Sequence, residues 1–537
     1  MYLNKTKNII LYVIISLGIA ASCDYLYSVY NSYYTYYPTK SNLTYPIMFF
    51  LMLSLVSKFR VRIIIISVLS AITMFQFFYF QFFGNILPPI SFIQFFQNTG
   101  EVFESFAPLI PQFVFPFLIV IFLFVSLFYI NKLFHDKLFH FKFSSYLLPA
   151  GLIIHLIIIF SVLNNSKGRL NNAQSRLIYP RPNRLAFENY IRTTNYFLVG
   201  ILPKKINGSY DELRSLSEPE KIIDKPNRNI VLVIGESLRS DRLSLLGYDR
   251  KTTPRLDSLA ENRIISSRNI FPGGTMTNTS FAVLMNRLIS PEYNAQIIDQ
   301  KNNLFRLAKE NGFSTHFISR NSFSQLETMH SLLSRQNIDT FCSKSNMTDF
   351  LKEPEDYDID LVGLLKNIDL NSSNFIILQQ RRSHSPCFKQ YPEYFGTFED
   401  EYDNTVLYTD LVLSKMIDHL SKNSPLETFF IFTSDHGELL GENGRNSHGC
   451  FEDGVINVPF VFYTNSEADS IKTVSNNIRC HFDVSSFIGF LLGYNTKIPD
   501  DPERDIYING TDIDGFAGYL YIKTKNDTIV EQHELKL

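Results

Sequence analysis

The 537-residue sequence carries almost no net charge: 50 Lys and Arg stand against 52 Asp and Glu, for −2 overall. A near-neutral chain offers no field that would gather a polyanion, so nothing here points to nucleic acid. Cysteine is scarce, with five in all: Cys23, Cys342, Cys387, Cys450 and Cys480. Cys23 lies in an apolar run. The other four allow at most two bridges in an oxidising compartment, and free thiols are equally open. There is no internal repeat and no low-complexity tract. The chain is long enough for two or three domains.

The two halves differ sharply. Up to about residue 163 the chain is a series of Phe-, Ile-, Leu- and Tyr-rich runs too long for core strands. They read as five spanning helices, at 9–30, 43–57, 62–83, 110–131 and 145–163, the second being short with a proline near its start. No small-residue cleavage site follows the first run, so it is not read as a removed signal peptide. Lys5, Lys7, Lys58, Arg60, Arg62, Lys132, Lys137 and Lys142 fall on one side of these spans. The other side holds Lys40 and, from 84 to 109, no Lys or Arg at all. The positive-inside rule puts the N-terminus in the cytoplasm and everything after residue 163 on the outer side.

Residues 164–228 read as a linker lying along the membrane surface, with Arg among Tyr, Phe and Leu. From 229 to 537 the composition is that of a soluble domain. Short apolar runs at 229–235, 313–319, 374–379, 428–435 and 458–464 are predicted as buried strands. "TTPRLDSLAENR" reads as a helix entered through Pro254, and 409–422 as another. Strand–helix alternation predicts an α/β domain with a mostly parallel sheet, whose functional groups gather at the carboxyl ends of strands.

That rule selects "FTSDHGELLGENGRNSHG", 432–449. Asp435 and His436 fall at the end of one predicted strand and Glu236 at the end of another. If those strands are neighbours, two carboxylates and an imidazole converge, a donor set that suits zinc. Catalytic zinc keeps a fourth position for an oxygen nucleophile. "FPGGTMTNTSFAVLMNR", 271–287, offers one at a glycine turn opening a helix, where backbone N–H groups favour an anion. Thr277 is the candidate, with Thr275, Thr279 and Ser280 as rivals and an ordinary helix cap as the plain alternative.

"NIVLVIGESLRSDRLSLLGYDRKTTPRLDSLA" resembles the opening of the catalytic domain of the phosphoethanolamine transferases that modify lipid A and the lipopolysaccharide core, a group that includes the mobile colistin-resistance enzymes. The resemblance recurs at "GGTMTNTS", "RRSHSP", "YDNTVLYTD" and "SDHGELLGENGRNSHG". It implies a five-helix transmembrane domain joined to an alkaline-phosphatase-like (sulfatase-like) periplasmic domain, in a multi-pass protein of the bacterial inner membrane. Glu236, Thr277, Asp435 and His436 would hold one zinc, and His384 and His448 would bind the phosphoryl group, hold a second zinc or protonate the leaving group. Asn98, Thr99, Glu101 and Glu104 match the stretch near the donor headgroup; a solvated loop is the equal alternative. Thr277 would carry phosphoethanolamine from phosphatidylethanolamine to lipid A or the lipopolysaccharide core. The added amine would lower surface negative charge and with it the binding of cationic peptides such as polymyxins.

The sequence departs from the family at three places. Gly273 stands where lipid A members usually have a bridged Cys, Gln379 or Gln380 stands at an expected His, and Gln325 sits near an expected Lys. These put the donor and acceptor pockets in question, and leave a phosphoglycerol or phosphoethanolamine transferase acting on a periplasmic glycan or a teichoic-acid-like polymer as the alternative. A sulfatase would need Cys or Ser in a Cys/Ser-x-Pro-x-Arg context, absent near Thr277. A non-enzymatic adaptor has no need of these groups together. His316 and His481 are expected as structural residues, Glu438 and Glu442 as shapers of their loop, and Arg445 as a phosphate contact.

Overall fold

The computed structural model describes residues 2–31, 34, 40–83, 86–87, 92, 110–138, 146–165, 184–201, 217–288, 300–327, 329–384, 387, 390–468, 471, 475–496, 498, 505–511, 517–525 and 528–536. All five apolar runs are helical: α1 Tyr2–Tyr30, α2 Lys40–Leu55, α3 Phe59–Phe83, α4 Ile110–Phe134 and α5 Leu147–Asn165. Among the described residues three helices, Asn4–Tyr30, Phe59–Gln81 and Ile110–Lys137, are long and apolar enough to cross a membrane. Leu43–Leu55 and Pro149–Val162 are shorter apolar helices. Side chains such as Ile14, Val29, Ile64, Val114 and Ile157 are exposed, an apolar outer surface of the kind lipid covers.

Without a hydrophobic drive between helices in lipid, polar contacts help to fix the packing. Tyr12 of α1 donates to Asn131 Oδ1 of α4 at 3.0 Å, and Tyr27 of α1 to the Phe77 carbonyl of α3 at 2.9 Å. Asp24, an acid inside the first apolar run, has a specific partner. Its Oδ1 accepts from Tyr34 Oη at 2.6 Å and from the Ala186 N–H at 2.8 Å. Ala186 opens helix α6, Ala186–Tyr196, whose own N-cap, Leu185, has no side chain to offer. Asp24 therefore caps α6 from another helix, meeting one of the orphan N–H groups of its first turn. Along α6, Glu188 pairs with Arg184 at 3.2 Å and Arg192 at 2.9 Å, all three buried. Leu185, Ala186 and Phe187 pack into the same core as α1, α3 and α4.

The second half holds a seven-stranded sheet in the order β2-β9-β6-β1-β5-β3-β4. The strands are β1 Arg228–Gly235, β2 Ile265–Ile270, β3 Ser314–Ser319, β4 Thr340–Cys342, β5 Asn374–Gln379, β6 Glu427–Ser434 and β9 Val458–Thr464. The four pairings among β4, β3, β5, β1 and β6 are parallel; β9 runs antiparallel to β6 and to β2. Successive side chains of a strand face opposite ways, and here both faces are dry. Ile230, Leu232 and Ile234 join one core, with α8 Thr277–Asn286, α9 Leu304–Glu310 and α12 His481–Leu491. Val231 and Val233 join the other, with α7 Pro254–Glu261, α10 Ile359–Lys366 and α11 Glu401–Asn423. That is why β1 reads as an uninterrupted apolar run.

The predicted strands at 313–319, 374–379 and 428–435 correspond to β3, β5 and β6, and the helix after Pro254 to α7. The 458–464 run is β9, but its direction is reversed relative to β6. Unanticipated were the outer strands β2 and β4, the hairpin β7 Leu439–Leu440 with β8 Asn446–Ser447, and the antiparallel sheet β10 Asp505–Thr511, β11 Ala517–Lys525 and β12 Thr528–Lys536.

Removing the Asp24 carboxylate leaves the Ala186 N–H and the Tyr34 hydroxyl buried without their acceptor, at a cost of about 1–3 kcal/mol. Asp24→Leu is expected to lower the melting midpoint of the detergent-solubilised protein, followed by circular dichroism. Asp24→Asn, which keeps an acceptor oxygen for both donors, is expected to recover most of that loss.

Candidate active site

β1 and β6 are adjacent and in register to their ends, with Gly235 opposite Ser434. Glu236 and the Asp435–His436 pair therefore leave the sheet side by side. One ligand atom from each of Glu236, Asp435 and His436 lies within 4.8 Å of the others, and all three residues are buried. His436 Nε2 is 3.3 Å from Asp435 Oδ2 and 3.7 Å from Glu236 Oε1.

The surroundings fit a divalent cation. Asp435 Oδ1 is occupied, accepting from Ser237 N at 3.0 Å and His436 N at 2.8 Å. Its Oδ2 is buried and has no hydrogen-bond donor. His436 Nδ1 is 2.8 Å from the Gly437 carbonyl, which only accepts, so Nδ1 carries the proton and Nε2 is a bare lone pair facing the two carboxylates. Burial pushes the His436 pKa down to about 4, so the ring itself does not supply the positive charge. Two like charges about 4 Å apart repel by about 4 kcal/mol at an effective dielectric near 20. A cation reverses that term, and a mixed imidazole and carboxylate donor set suits zinc.

Thr277 opens α8, and its Oγ1 lies 3.4 Å from His436 Nε2. Two of its rivals are hydrogen-bonded elsewhere and the third, Thr275, is walled in with no hydrogen-bond partner for its hydroxyl. Thr275 is fully buried, with the Gly510 backbone packed against its hydroxyl. Thr279 Oγ1 donates to the Met276 carbonyl at 2.8 Å and accepts from its N–H at 3.2 Å. Ser280 Oγ donates to the Asp435 carbonyl at 2.5 Å. Among the four hydroxyls only that of Thr277 faces the donor cluster.

The β7–β8 hairpin folds "GELLGENGRNSHG" back on itself, pairing Leu439 with Ser447. This returns His448 to a ring separation of 4.1 Å from His436, and His384 stands 5.4 Å from His448. Gly449 N donates to the Thr275 carbonyl at 2.9 Å, tying the hairpin to the turn before α8. Gly437 passes so close to Gly454 that a Cβ there would lie 2.0 Å from the Gly454 carbonyl oxygen, so no other residue fits between His436 and the hairpin.

Two groups near the cluster exceed what the sequence suggested. Glu438, expected only to shape its loop, is a fully buried carboxylate whose Oε2 lies 3.3 Å from His448 Nδ1. Burial opposes its charge, but the His448 hydrogen bond and the neighbouring imidazoles outweigh burial and hold its pKa below the usual range. Arg239 donates to the Glu438 carbonyl at 3.1 Å and to Asp241 at 2.8 Å, and pairs with Glu442, so Glu442 does shape the loop. Arg445 is paired with Glu452 at 2.5 Å.

"YDNTVLYTD" acts as a brace. Asp403 accepts from Arg242 at 3.1 Å and Tyr248 at 3.1 Å, and Asp410 accepts from Leu256 N at 2.8 Å, holding the segment that follows Glu236. Thr405 lies 3.0 Å from Ser383 Oγ, beside His384. Gln379 Oε1 accepts from Ser319 Oγ at 2.8 Å, and Gln325 Oε1 from Arg381 at 3.3 Å. His316 bonds Asn374 at 3.1 Å within the sheet. Asn98, Thr99, Glu101 and Glu104 lie outside the described residues.

All five cysteines are unbridged. At Gly273 a Cβ would sit 2.5 Å from Val283 Cβ, so a side chain there collides with α8. The turn is held by backbone pairing instead: Asn509 N donates to the Gly273 carbonyl at 2.9 Å, and Thr275 N to the Asn509 carbonyl at 2.8 Å.

Two outcomes follow from this geometry. Gly273→Ala is expected to lower the melting midpoint, and Val283→Ala added to it to restore part of the loss. Zinc at a hundredfold excess over its dissociation constant is expected to stabilise the protein by about 2.7 kcal/mol. The same titration on Asp435→Ala should leave the melting midpoint unmoved.

Residues 228–494 match the sulfatase family model. Phosphatidylethanolamine transferase Mcr-1 of Escherichia coli is 28% identical over 282 residues, 47% of this chain and 51% of that protein. Phosphoethanolamine transferase EptC of Escherichia coli strain K12 is 25% identical over 362 residues, 60% of this chain and 59% of that protein. The matched region thus spans a little over half the length of these curated relatives. The integral membrane lipooligosaccharide phosphoethanolamine transferase A of Neisseria meningitidis shares the fold, with a TM-score of 0.58 at 17% identity over 92% of this chain and 97% of that one. Residues 228–494 are therefore a sulfatase-family domain, carried on a chain with apolar helices at its N-terminal end and related in sequence to phosphoethanolamine transferases.

Proposed function

We propose that this chain transfers phosphoethanolamine from phosphatidylethanolamine to lipid A or the lipopolysaccharide core, through a covalent intermediate on Thr277. The observation that carries the reading is the Thr277 hydroxyl, at a helix N-terminus and 3.4 Å from His436 Nε2, beside Glu236 and Asp435. The names of the sequence relatives support the transferred group and its donor.

Glu236, Asp435, His436 and Thr277 would hold a zinc ion. Bound there, zinc supplies a Lewis acid that lowers the pKa of a neighbouring hydroxyl and neutralises charge on phosphoryl oxygens. Thr277 Oγ1, its proton already lost to solvent, attacks phosphorus as the bond to the diacylglycerol oxygen breaks, and it is released in that same deprotonated state when the phosphoryl group moves on. The N–H groups of the first turn of α8 lack intrahelical acceptors and face the phosphoryl oxygens. His448, with Glu438 against its Nδ1, delivers a proton to the departing oxygen, and His384 faces it across the site. In the second half-reaction an acceptor oxygen attacks the phosphorus, His448 takes its proton, and Thr277 is released.

In this reading residues 1–163 form a membrane domain of five spans with the N-terminus in the cytoplasm. Residues 164–228 connect it to a catalytic domain, 229–537, on the periplasmic face of a bacterial inner membrane, where both lipid substrates lie. β8, in the hairpin that leads to His448, comes against α3, which supports a site facing the membrane half. Asn98, Thr99, Glu101 and Glu104 are proposed to meet the ethanolammonium of the donor.

Purified full-length protein incubated with phosphatidylethanolamine should gain a phosphoethanolamine adduct on the 271–287 peptide, read by intact-mass and peptide mass spectrometry. Thr277→Ala should gain none, and chelation should abolish the adduct in wild type. Zinc bound in wild type without any adduct would overturn the reading.

A further inference from the structure

His481 is the first residue of α12, and its ring is wholly buried. Nδ1 lies 2.9 Å from Ser280 Oγ, and Nε2 lies 3.2 Å from Thr433 Oγ1. The proton positions follow from the partners. Ser280 has one hydroxyl proton, and at 2.5 Å from the Asp435 carbonyl, which only accepts, that proton must lie between the two oxygens. The Ser280 oxygen then accepts, so His481 Nδ1 carries a proton and donates it. Burial keeps the ring neutral, with its pKa pushed down to about 4. On the far side of the ring the Thr433 hydroxyl stands between Nε2 and the Ser434 carbonyl, 3.4 Å from the latter.

The result is a directed chain, His481 to Ser280 and Ser280 to the Asp435 backbone, with Thr433 against the other ring nitrogen. Its members come from β6, α12 and α8. Ser280 stands three residues after Thr277, on the neighbouring turn of the same helix. The His481 main chain is tied in as well: its N–H donates to the Phe271 carbonyl at 3.1 Å, and Phe271 N to the Arg479 carbonyl at 2.8 Å. The turn leading to α8 is thus bonded on one side to 479–481 and on the other to Asn509 of β10.

We infer that His481 is a positioning residue: by holding Ser280 on the Asp435 carbonyl, it sets the Thr277 hydroxyl against the Asp435 and His436 donors. It touches neither substrate nor the donor atoms, and the inference rests on the reading of Thr277 and the metal cluster given above. A histidine that merely filled space would have no preference between its two nitrogens. This one acts through Nδ1–H.

That asymmetry can be tested. His481→Asn places an amide nitrogen near the position of Nδ1, whereas His481→Gln, closer to histidine in volume, places one near Nε2. Each full-length protein is compared with wild type in zinc dissociation constant by calorimetry, and in rate of adduct formation on Thr277. Loss of an outer partner of a metal site costs roughly 10–100-fold in affinity. His481→Gln is expected to lose about that much in both readouts, and His481→Asn to stay within about threefold of wild type on the same scale. In the Ser280→Ala background, adding His481→Gln is expected to cost nothing further, since the chain is already cut. Equal zinc affinity in the Asn and Gln variants, or full additivity with Ser280→Ala, would overturn the inference. Zinc affinity also separates the two readings. If wild type forms no adduct but the Gln variant still loses zinc while the Asn variant keeps it, the positioning role stands and the transfer reading falls.

Discussion

Two carboxylates and an imidazole are held within reach of one another in a buried setting, and the second half of the chain is organised around keeping them there. Left to themselves, Glu236 and Asp435 repel. What prevents their separation is the register of β1 and β6, which ends both strands at the same level and leaves the side chains no room to diverge. Each surrounding element then fixes one degree of freedom. The Ser237 N–H turns Asp435 so that one oxygen faces inward, and the Gly437 carbonyl sets the tautomer of His436. The hairpin returns His448, and Arg239 holds the hairpin from beneath.

The same logic explains the residues most intolerant of change. Gly437 and Gly273 are places where two backbones, or a backbone and a helix, approach too closely for a side chain. At Gly273 this proximity stands in for a covalent tie. Here β10 and the 479–481 segment flank the turn instead, so the precision of the site rests on backbone hydrogen bonds with no disulfide.

Much of the architecture was legible because parallel strands buried on both faces become continuous apolar runs. β1, β3, β5 and β6 stand out for that reason. β2, "ISSRNI", is polar at four of its six positions, at an edge of the sheet, and the sequences of β10–β12 interleave polar with apolar residues; neither leaves such a run. The direction of β9 was invisible, since an apolar run has no sign. Within the site, Glu236, Asp435 and His436 were readable from their place at strand ends. The Ser280 rival to Thr277 was removed only by its hydrogen bond, and the role of His481 depends on residues 280, 433 and 481 meeting in space. Glu438 was undervalued because a carboxylate in a polar, glycine-rich segment reads as solvated, whereas the hairpin buries it.

The cap that Asp24 places on α6 joins residues 162 positions apart. A ribosome adding roughly 5–20 residues per second makes α1 roughly 10–30 seconds before its partner exists. Through that interval the first helix holds a carboxyl group whose helix to cap has not been made. α1 is synthesised first and meets Tyr34, α3 and α4 early, yet the Asp24 cap closes only when α6 has been made. A segment far along the chain is thus the piece that finishes the packing around the first helix.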